Sequence, residues 1–278
     1  MRARAALVAL AMTIATDVHA QHVMIEAPIV WIPEGAFTLG ADPIDLEYAI
    51  QLCQDEHELT LADGCTPERF QNELSSERPY LRRFGIDRTE VTRARYAECV
   101  EVGRCAPSHV SDDDPELGAP SVPVVGVDAR DAARYCAFRG GRLPTESEWE
   151  KAARGTEGNR RFPWGRVYDG GLANHGRPVL RPDASDGWRG LAPVGVLQGR
   201  SPYGLADMAG NAWEWTSSRL RPIDVGTTAR PTDRDLRLVL RGGSFLHPAV
   251  SMRVTSRSWM EETRHAADVG FRCAYDPP

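Results

Sequence analysis

Six cysteines, at positions 53, 65, 99, 105, 136 and 273 of a 278-residue chain, constrain the fold more than any other feature. Their number is even, and the chain opens on MRARAALVALAMTIATDVHAQ. Arg2 and Arg4 precede an apolar run from Ala5 to Ala15, and Val18, His19 and Ala20 come after it. A basic start, a short hydrophobic stretch and a small residue at the cut are the order of a secretory signal. The run is shorter than the roughly twenty apolar residues of a membrane-spanning helix. The sequence therefore predicts a signal peptide over 1–20, cleaved near Ala20, and a secreted or periplasmic mature chain without a membrane span. In an oxidising compartment an even cysteine set reads as disulfides, and no spacing here makes a paired CxxC zinc pattern.

Beyond the leader the chain reads as one domain over 27–278, since no Ser/Gly linker, low-complexity tract or internal repeat divides it. A formal charge of −6 argues against nucleic acid or an anionic membrane as the main partner. Asp112, Asp113 and Asp114 read as a solvated loop, because adjacent like charges repel and seek water.

Along the chain, VWIPEGAFTLG reads as two short strands around a Pro-Glu-Gly turn. The polar, helix-like stretch over 42–76 looks inserted and holds Cys53 and Cys65, which a short-loop bridge would staple. Phe84 and Ile86 alternate as in a strand, and Thr92 is a good N-cap for a helix from Arg93 to about Val102, ended by Gly103. That reversal brings Cys99 toward Cys105. Asp128 caps a second helix that Gly140 ends. Thr145 and Glu148 make a capping box for a third, closed by Gly155, whose Trp149, Ala152 and Ala153 share a core face. After Gly155 loops rich in Gly, Pro, Trp and Asn dominate. Leu236, Leu238 and Leu240 alternate with Arg237, Val239 and Arg241, which reads as a half-buried strand. Val269, Phe271 and Cys273 alternate in the same way, so Cys273 faces inward and Cys136 is the partner left over.

Several separated stretches then agree. GGRLPTESEWEKAARG, FPWG, YGLADMAGNAWEWTSS, LRGGSF and DVGFRCA, in this order, closely resemble the formylglycine-generating enzyme family, the sulfatase-modifying factors. WIPEGAFTLG and FGIDRTEVT match its N-terminal part, so the resemblance runs from about Val30 to Ala274, apart from the insertion. It implies an α+β fold, distantly C-type-lectin-like, with little regular secondary structure for its length. The Cys136–Cys273 pair also matches a bridge of that family.

The resemblance further implies two calcium sites. One maps to the side chains of Asp207 and Glu214 with the carbonyls of Gly210 and Ala212. The other maps to the side chains of Asn174 and Asp186 with the carbonyls of His175 and Trp188. Calcium takes six to eight oxygens, mixing carboxylates with main-chain carbonyls, and both stretches offer that donor set. Trp213 and Trp215 read as core under either a metal-bound or a bare turn.

The family's oxidase uses two cysteines that bind copper(I), a soft ion suited to thiolates. In GGSFLHPAVSMRVTSRSW, aligned on RVTSRS, those positions fall at about Ala249 and Val254, neither of which can bind a metal through its side chain. Copper is therefore not expected, and no residue takes a catalytic role. Met252 reads as packing. Iron-dependent branches of the superfamily use histidines, but His22, His57, His109, His175, His247 and His265 include no helical pair, and His247 alone lies near the old cleft. No GxSxG, P-loop or paired-carboxylate constellation suggests an unrelated reaction. The first reading is an exported, calcium-stabilised module that binds a protein or peptide in the inherited cleft. The alternative is a metal-dependent oxidoreductase acting on a thiol, peptide or siderophore-like substrate.

Overall fold

The computed structural model describes residues 28–56, 64–75, 77–158, 160–178, 180–220 and 237–278. The expected signal peptide over 1–20 lies outside those residues, as do His22, His57 and Leu236. Strands β1 (Ile29–Ile32) and β2 (Gly35–Ala36) flank the Pro-Glu turn but do not pair with each other. Helices α1 (Pro43–Glu56) and α2 (Pro67–Phe70) come next, then β3 (Tyr80–Leu81), which takes β2, and β4 (Phe84–Asp87), which takes β1.

Helix starts obey local chemistry. In α3 (Arg93–Glu101) the Thr92 side chain accepts from the Arg95 N–H, and in α4 (Ala129–Phe138) Asp128 accepts from Asp131. Helix α5 (Glu146–Arg154) has the full Thr145–Glu148 capping box. Short strands β5 (Gly176–Arg177) and β6 (Arg181–Pro182) pair with each other. The last strands are β7 (Trp213–Arg219), β8 (Arg237–Arg241), β9 (Arg257–Glu261), β10 (Val269–Gly270) and β11 (Ala274–Tyr275).

Two sheets organise the core. In one, β1 and β11 flank β4, so the two ends of the described chain close a single sheet. The other has the order β10-β7-β8-β9, with β10 parallel to β7. Helices α3 and α4 cover the second sheet through Tyr96, Tyr135, Trp213, Trp215, Leu240 and Phe271. Within that cluster the bridge Cys136–Cys273 joins α4 to the C-terminal segment, 137 residues apart in sequence. Helix α5 lays Trp149, Ala152 and Ala153 on Ile32, Phe84 and Ile86 of the first sheet.

One strand departs from the sequence reading. Alternation places Val239 and Arg241 on an exposed face, but both are fully buried. Strand β8 is central, between β7 and β9, and α5 packs over the face expected to meet water. There Arg241 donates to a Glu150 carboxylate oxygen at 2.6 Å and stacks over Trp149. Period-2 alternation of Leu with Arg looks half-solvated, yet a buried counter-charge makes it two-sided core.

The insertion is integral to the fold. Cys53–Cys65 ties α1 to the segment before α2, and both sulfurs lie in a cluster with Ala49, Phe70 and Val250. Cys99–Cys105 closes the turn after α3. All six cysteines are bridged.

Candidate functional site

The loops over 174–188 and the turn over 207–214 come together in space. The Asn211 N–H donates to the Asn174 carbonyl at 2.8 Å, and the Asn174 amide donates to the Asn211 side-chain oxygen at 3.1 Å. Asn211 also brackets Ala192, accepting its N–H at 2.9 Å and donating to its carbonyl at 3.2 Å. Such a tight turn needs left-handed backbone, with φ of +78° at Gly210, +66° at Asn211 and +56° at Asp207. Glycine is required at 210, where a Cβ would collide with the Asn174 carbonyl oxygen.

In the first candidate set, the Asp186 carboxylate accepts from the His175 N–H at 3.0 Å and from the Trp188 N–H at 2.8 Å. It thereby holds in place the two residues whose carbonyls complete the set. Burial raises the Asp186 carboxyl above its usual range, against the lowering by those two hydrogen bonds. Asn174 is fully buried, and its side-chain oxygen has no hydrogen-bond partner. A buried acceptor without a donor is costly, so an oxygen-seeking cation suits this position.

In the second set Asp207 and Glu214 behave differently. Glu214 is fully buried and committed: Arg272 donates to both its oxygens at 2.7 Å, and the Trp149 indole N–H adds a bond at 2.8 Å. Asp207 accepts from Gly195 N–H through one oxygen, and its other oxygen has no partner. Glu90, in the loop between β4 and α3, is fully buried, and neither of its oxygens takes a bond from an arginine, lysine or amide side chain. Its carboxyl lies within hydrogen-bond reach of Asp207. Burial and the neighbouring Asp207 carboxylate push Glu90 well above the usual carboxylate range, with Glu214 adding to the effect and Arg272 opposing it. Among the described residues no three His, Cys, Asp or Glu side chains group to hold a metal by themselves, so a cation here depends on main-chain carbonyls as well.

The positions aligned with the family's copper cysteines present no open groove. Ala249 and Val254 are 1 % and 0 % exposed. The Glu56 carboxylate, at the end of α1, accepts from the backbone N–H groups of Ala249 and Val250 at 2.5 and 3.0 Å. At the other end of the insertion Glu73 takes a bidentate pair from Arg253, both bonds at 2.8 Å, and accepts from Thr255. The insertion thus clamps the segment over 249–255 from two sides. Met252 is fully buried beside Phe162, Ala173 and Ala209, as packing.

His247 sits beside this closed region with both ring nitrogens engaged. Ser244 Oγ donates to Asp268 at 2.8 Å and lies 2.7 Å from His247 Nδ1, while the Trp213 indole N–H faces both ring nitrogens, 3.2 Å from Nδ1 and 3.4 Å from Nε2. Burial depresses the His247 pKa, with Asp268 raising it and Arg69 lowering it further. Trp213 and Trp215 are core, as read from sequence.

Sequence reasoning missed Glu90, Glu56 and Arg272. Glu90 stands one residue before Val91 and two before the Thr92 cap, and nothing in periodicity separates such a buried acid from a surface one. Arg272 lies in an alternating apolar stretch, where a lone charge inside an inward-facing run is a signal that a buried counter-charge is present.

The family model described as the sulfatase-modifying factor enzyme 1-like domain matches residues 15–277. Over 160 residues the chain is 41 % identical to inactive C-alpha-formylglycine-generating enzyme 2 of Mus musculus, covering 55 % of this chain and 49 % of that protein. It is 31 % identical over 290 residues to hercynine oxygenase of Mycolicibacterium smegmatis, covering 89 % of this chain and 61 % of that one. The chain spans about half the length of the curated formylglycine-generating relatives it matches. The solved structure of PvdO from Pseudomonas aeruginosa shares the fold, with a TM-score of 0.65 at 23 % identity over 90 % of this chain and 94 % of that one.

Proposed function

The chain belongs to the sulfatase-modifying factor enzyme 1-like family, and from that premise we propose that it is an exported member without copper-dependent formylglycine-generating activity, a calcium-stabilised module that binds a protein or peptide. The observation that carries the loss of oxidase chemistry is the clamp on the segment over 249–255. An alanine and a valine stand where thiolates are needed, both are buried, and all six cysteines are bridged. A soft copper(I) ion has no thiolate to bind there. The similarity to a relative whose name carries the word inactive supports this reading.

Calcium, when bound, supplies structural cross-linking of loops. Asn174 and Asp186 would hold one ion with the carbonyls of His175 and Trp188, and Asp207 and Glu214 would hold a second with the carbonyls of Gly210 and Ala212. The partner surface is a cleft of about 700 Å3 between the insertion and α5, lined among others by Thr38, Asp42, Asn72, Glu77, Glu146 and Arg257. With Ala249 and Val254 covered, this cleft replaces the inherited one as the binding surface.

A second reading, a metal-dependent oxidoreductase acting on a thiol, peptide or siderophore-like substrate, is favoured by the similarity to hercynine oxygenase across most of this chain. Elemental analysis of the purified protein, with oxygen uptake measured on a thiol peptide after copper(I) loading, separates the two. The binding-module reading expects calcium without stoichiometric copper or iron and no oxygen uptake. Stoichiometric copper or iron together with uptake overturns it.

A further inference from the structure

The histidines among the described residues are of two kinds. His175 and His247 are half-buried, and each has a ring nitrogen held by the chain: His175 Nδ1 lies 3.0 Å from the Gly176 carbonyl, and His247 Nδ1 lies 2.7 Å from Ser244 Oγ. His109 and His265 are exposed, and their imidazoles stack on each other with ring centroids 3.7 Å apart and planes within 3° of parallel. Among the described residues neither of these two rings has a hydrogen bond or an ion pair, so their nitrogens stay open to a ligand.

The backbone builds this pair. The His109 N–H donates to the Gly126 carbonyl at 3.0 Å, and the Gly126 N–H donates to the carbonyl of Ala266, next to His265, at 2.9 Å. Gly126 has φ of +72°, and a Cβ there would lie 2.8 Å from Val110 Cγ2, so glycine lets the two loops approach this closely. Each loop is fixed again nearby. The Cys99–Cys105 bridge and the 2.7 Å bond from Ser108 Oγ to the Val125 carbonyl hold the first. The Ala129 N–H holds the second through the Glu262 carbonyl at 3.1 Å, and the Glu262 carboxylate is taken by Arg130 at 2.7 Å.

We infer that His109 and His265 form a surface site for a divalent transition-metal ion such as zinc or nickel, with one ring nitrogen from each and water in the remaining positions. Imidazole suits these ions, whereas calcium and magnesium prefer oxygen, so the site is chemically separate from the loops bearing Asn174 and Asp207. Two imidazoles already in contact need only a small side-chain rotation to bring a nitrogen of each to the metal–nitrogen distance of about 2.0–2.1 Å. The ion would clip the loop after Cys105 to the loop between β9 and β10. Held by two protein ligands, it exchanges with chelator, unlike the retained metal of an oxidoreductase.

Calorimetric titration of the chelator-washed full chain with zinc chloride, in buffer containing calcium, tests this on wild type, His109→Asn and His265→Asn. A zinc step is expected in wild type, weakened about tenfold or more in each variant, since even an outer-shell partner is worth that much. Nitrogen-15 spectra of the histidine rings supply a second readout. The signals of His109 and His265, assigned from the two variants, are expected to move with zinc while those of His175 and His247 stay. No zinc step in wild type overturns the inference, as does a variant that binds like wild type. Movement of other histidine signals alone means an adventitious ion only and overturns it equally. If a variant does not fold, shown by its melting curve without metal, the wild-type spectra with the remaining variant decide.

Discussion

Glu150 and Glu90 are both buried carboxylates near buried arginines, 2 % and 0 % exposed, and their surroundings are opposite. Glu150, on α5, has both oxygens occupied: one takes the Gly40 N–H at 2.7 Å and Arg154 at 3.0 Å, the other Arg241 at 2.6 Å. Arg241 in turn reaches the carbonyls of Val254, Thr255 and Ser256, so one acid knits α5, β8 and the segment over 254–256 together. Glu90 takes no bond from an arginine, lies within hydrogen-bond reach of another acid, Asp207, and has Arg272 nearby as the partner of Glu214. The first region completes its electrostatics from within the chain. The second sets two acids against each other, with burial and the Asp207 carboxylate holding Glu90 well above the usual carboxylate range, so a proton rather than an arginine stands between them.

The largest expected effect breaks the complete region. Glu150→Ala leaves Arg241 and Arg154 buried without their shared counter-charge, and a loss of about 3–5 kcal/mol is expected in denaturant unfolding. A loss below about 1 kcal/mol would mean that carbonyl contacts alone hold the two arginines. Removing the Cys136–Cys273 bridge by a double Cys→Ala change is expected to cost about 2–5 kcal/mol, because it closes the longest loop, between residues 137 apart. A cost no larger than that of removing Cys99–Cys105, which joins residues six apart, would show that unfolded-chain restriction is not the cause.

A smaller effect concerns His247. Burial holds its folded pKa below the ordinary value of 6.5, so the unfolded chain binds the proton more readily. Stability therefore falls as pH drops below about 6.5, with a slope of at most about 1.4 kcal/mol per pH unit from this one group. His247→Gln is expected to flatten that part of the pH profile of unfolding. An identical slope in the variant would assign the acid sensitivity to the carboxylates.

Much of the fold was legible because caps and breakers act locally. Thr92, Asp128 and the Thr145–Glu148 box start the helices that the sequence indicates. The three bridges form as the spacing and the inward-facing Cys273 suggest. Strand β8 misled because solvation is a tertiary property: the same Leu/Arg alternation serves a half-exposed strand or a central one with Glu150 opposite Arg241. The site was legible as far as its motifs extend. Asn174 meets Asn211 of the turn and Asp186 meets His175 and Trp188, yet Glu90 comes from a loop more than a hundred residues upstream, and its burial depends on packing that no local pattern encodes. The clamp by Glu56 on Ala249 and Val250 was equally invisible, since it joins residues 193 and 194 apart.

The central claim is that calcium from solution holds the turn over 207–214 and the loops bearing Asn174 and Asp186. Melting curves of the wild-type chain in excess calcium and in chelator test it most directly. Binding only to the folded state adds about 2.7 kcal/mol at a hundredfold excess of calcium over Kd, for each site. A midpoint that rises with free calcium and falls on chelation is the predicted result. An unchanged midpoint, after metal removal has been verified by elemental analysis, contradicts it and leaves the turn held by Trp213, Trp215 and the Arg272–Glu214 pair alone.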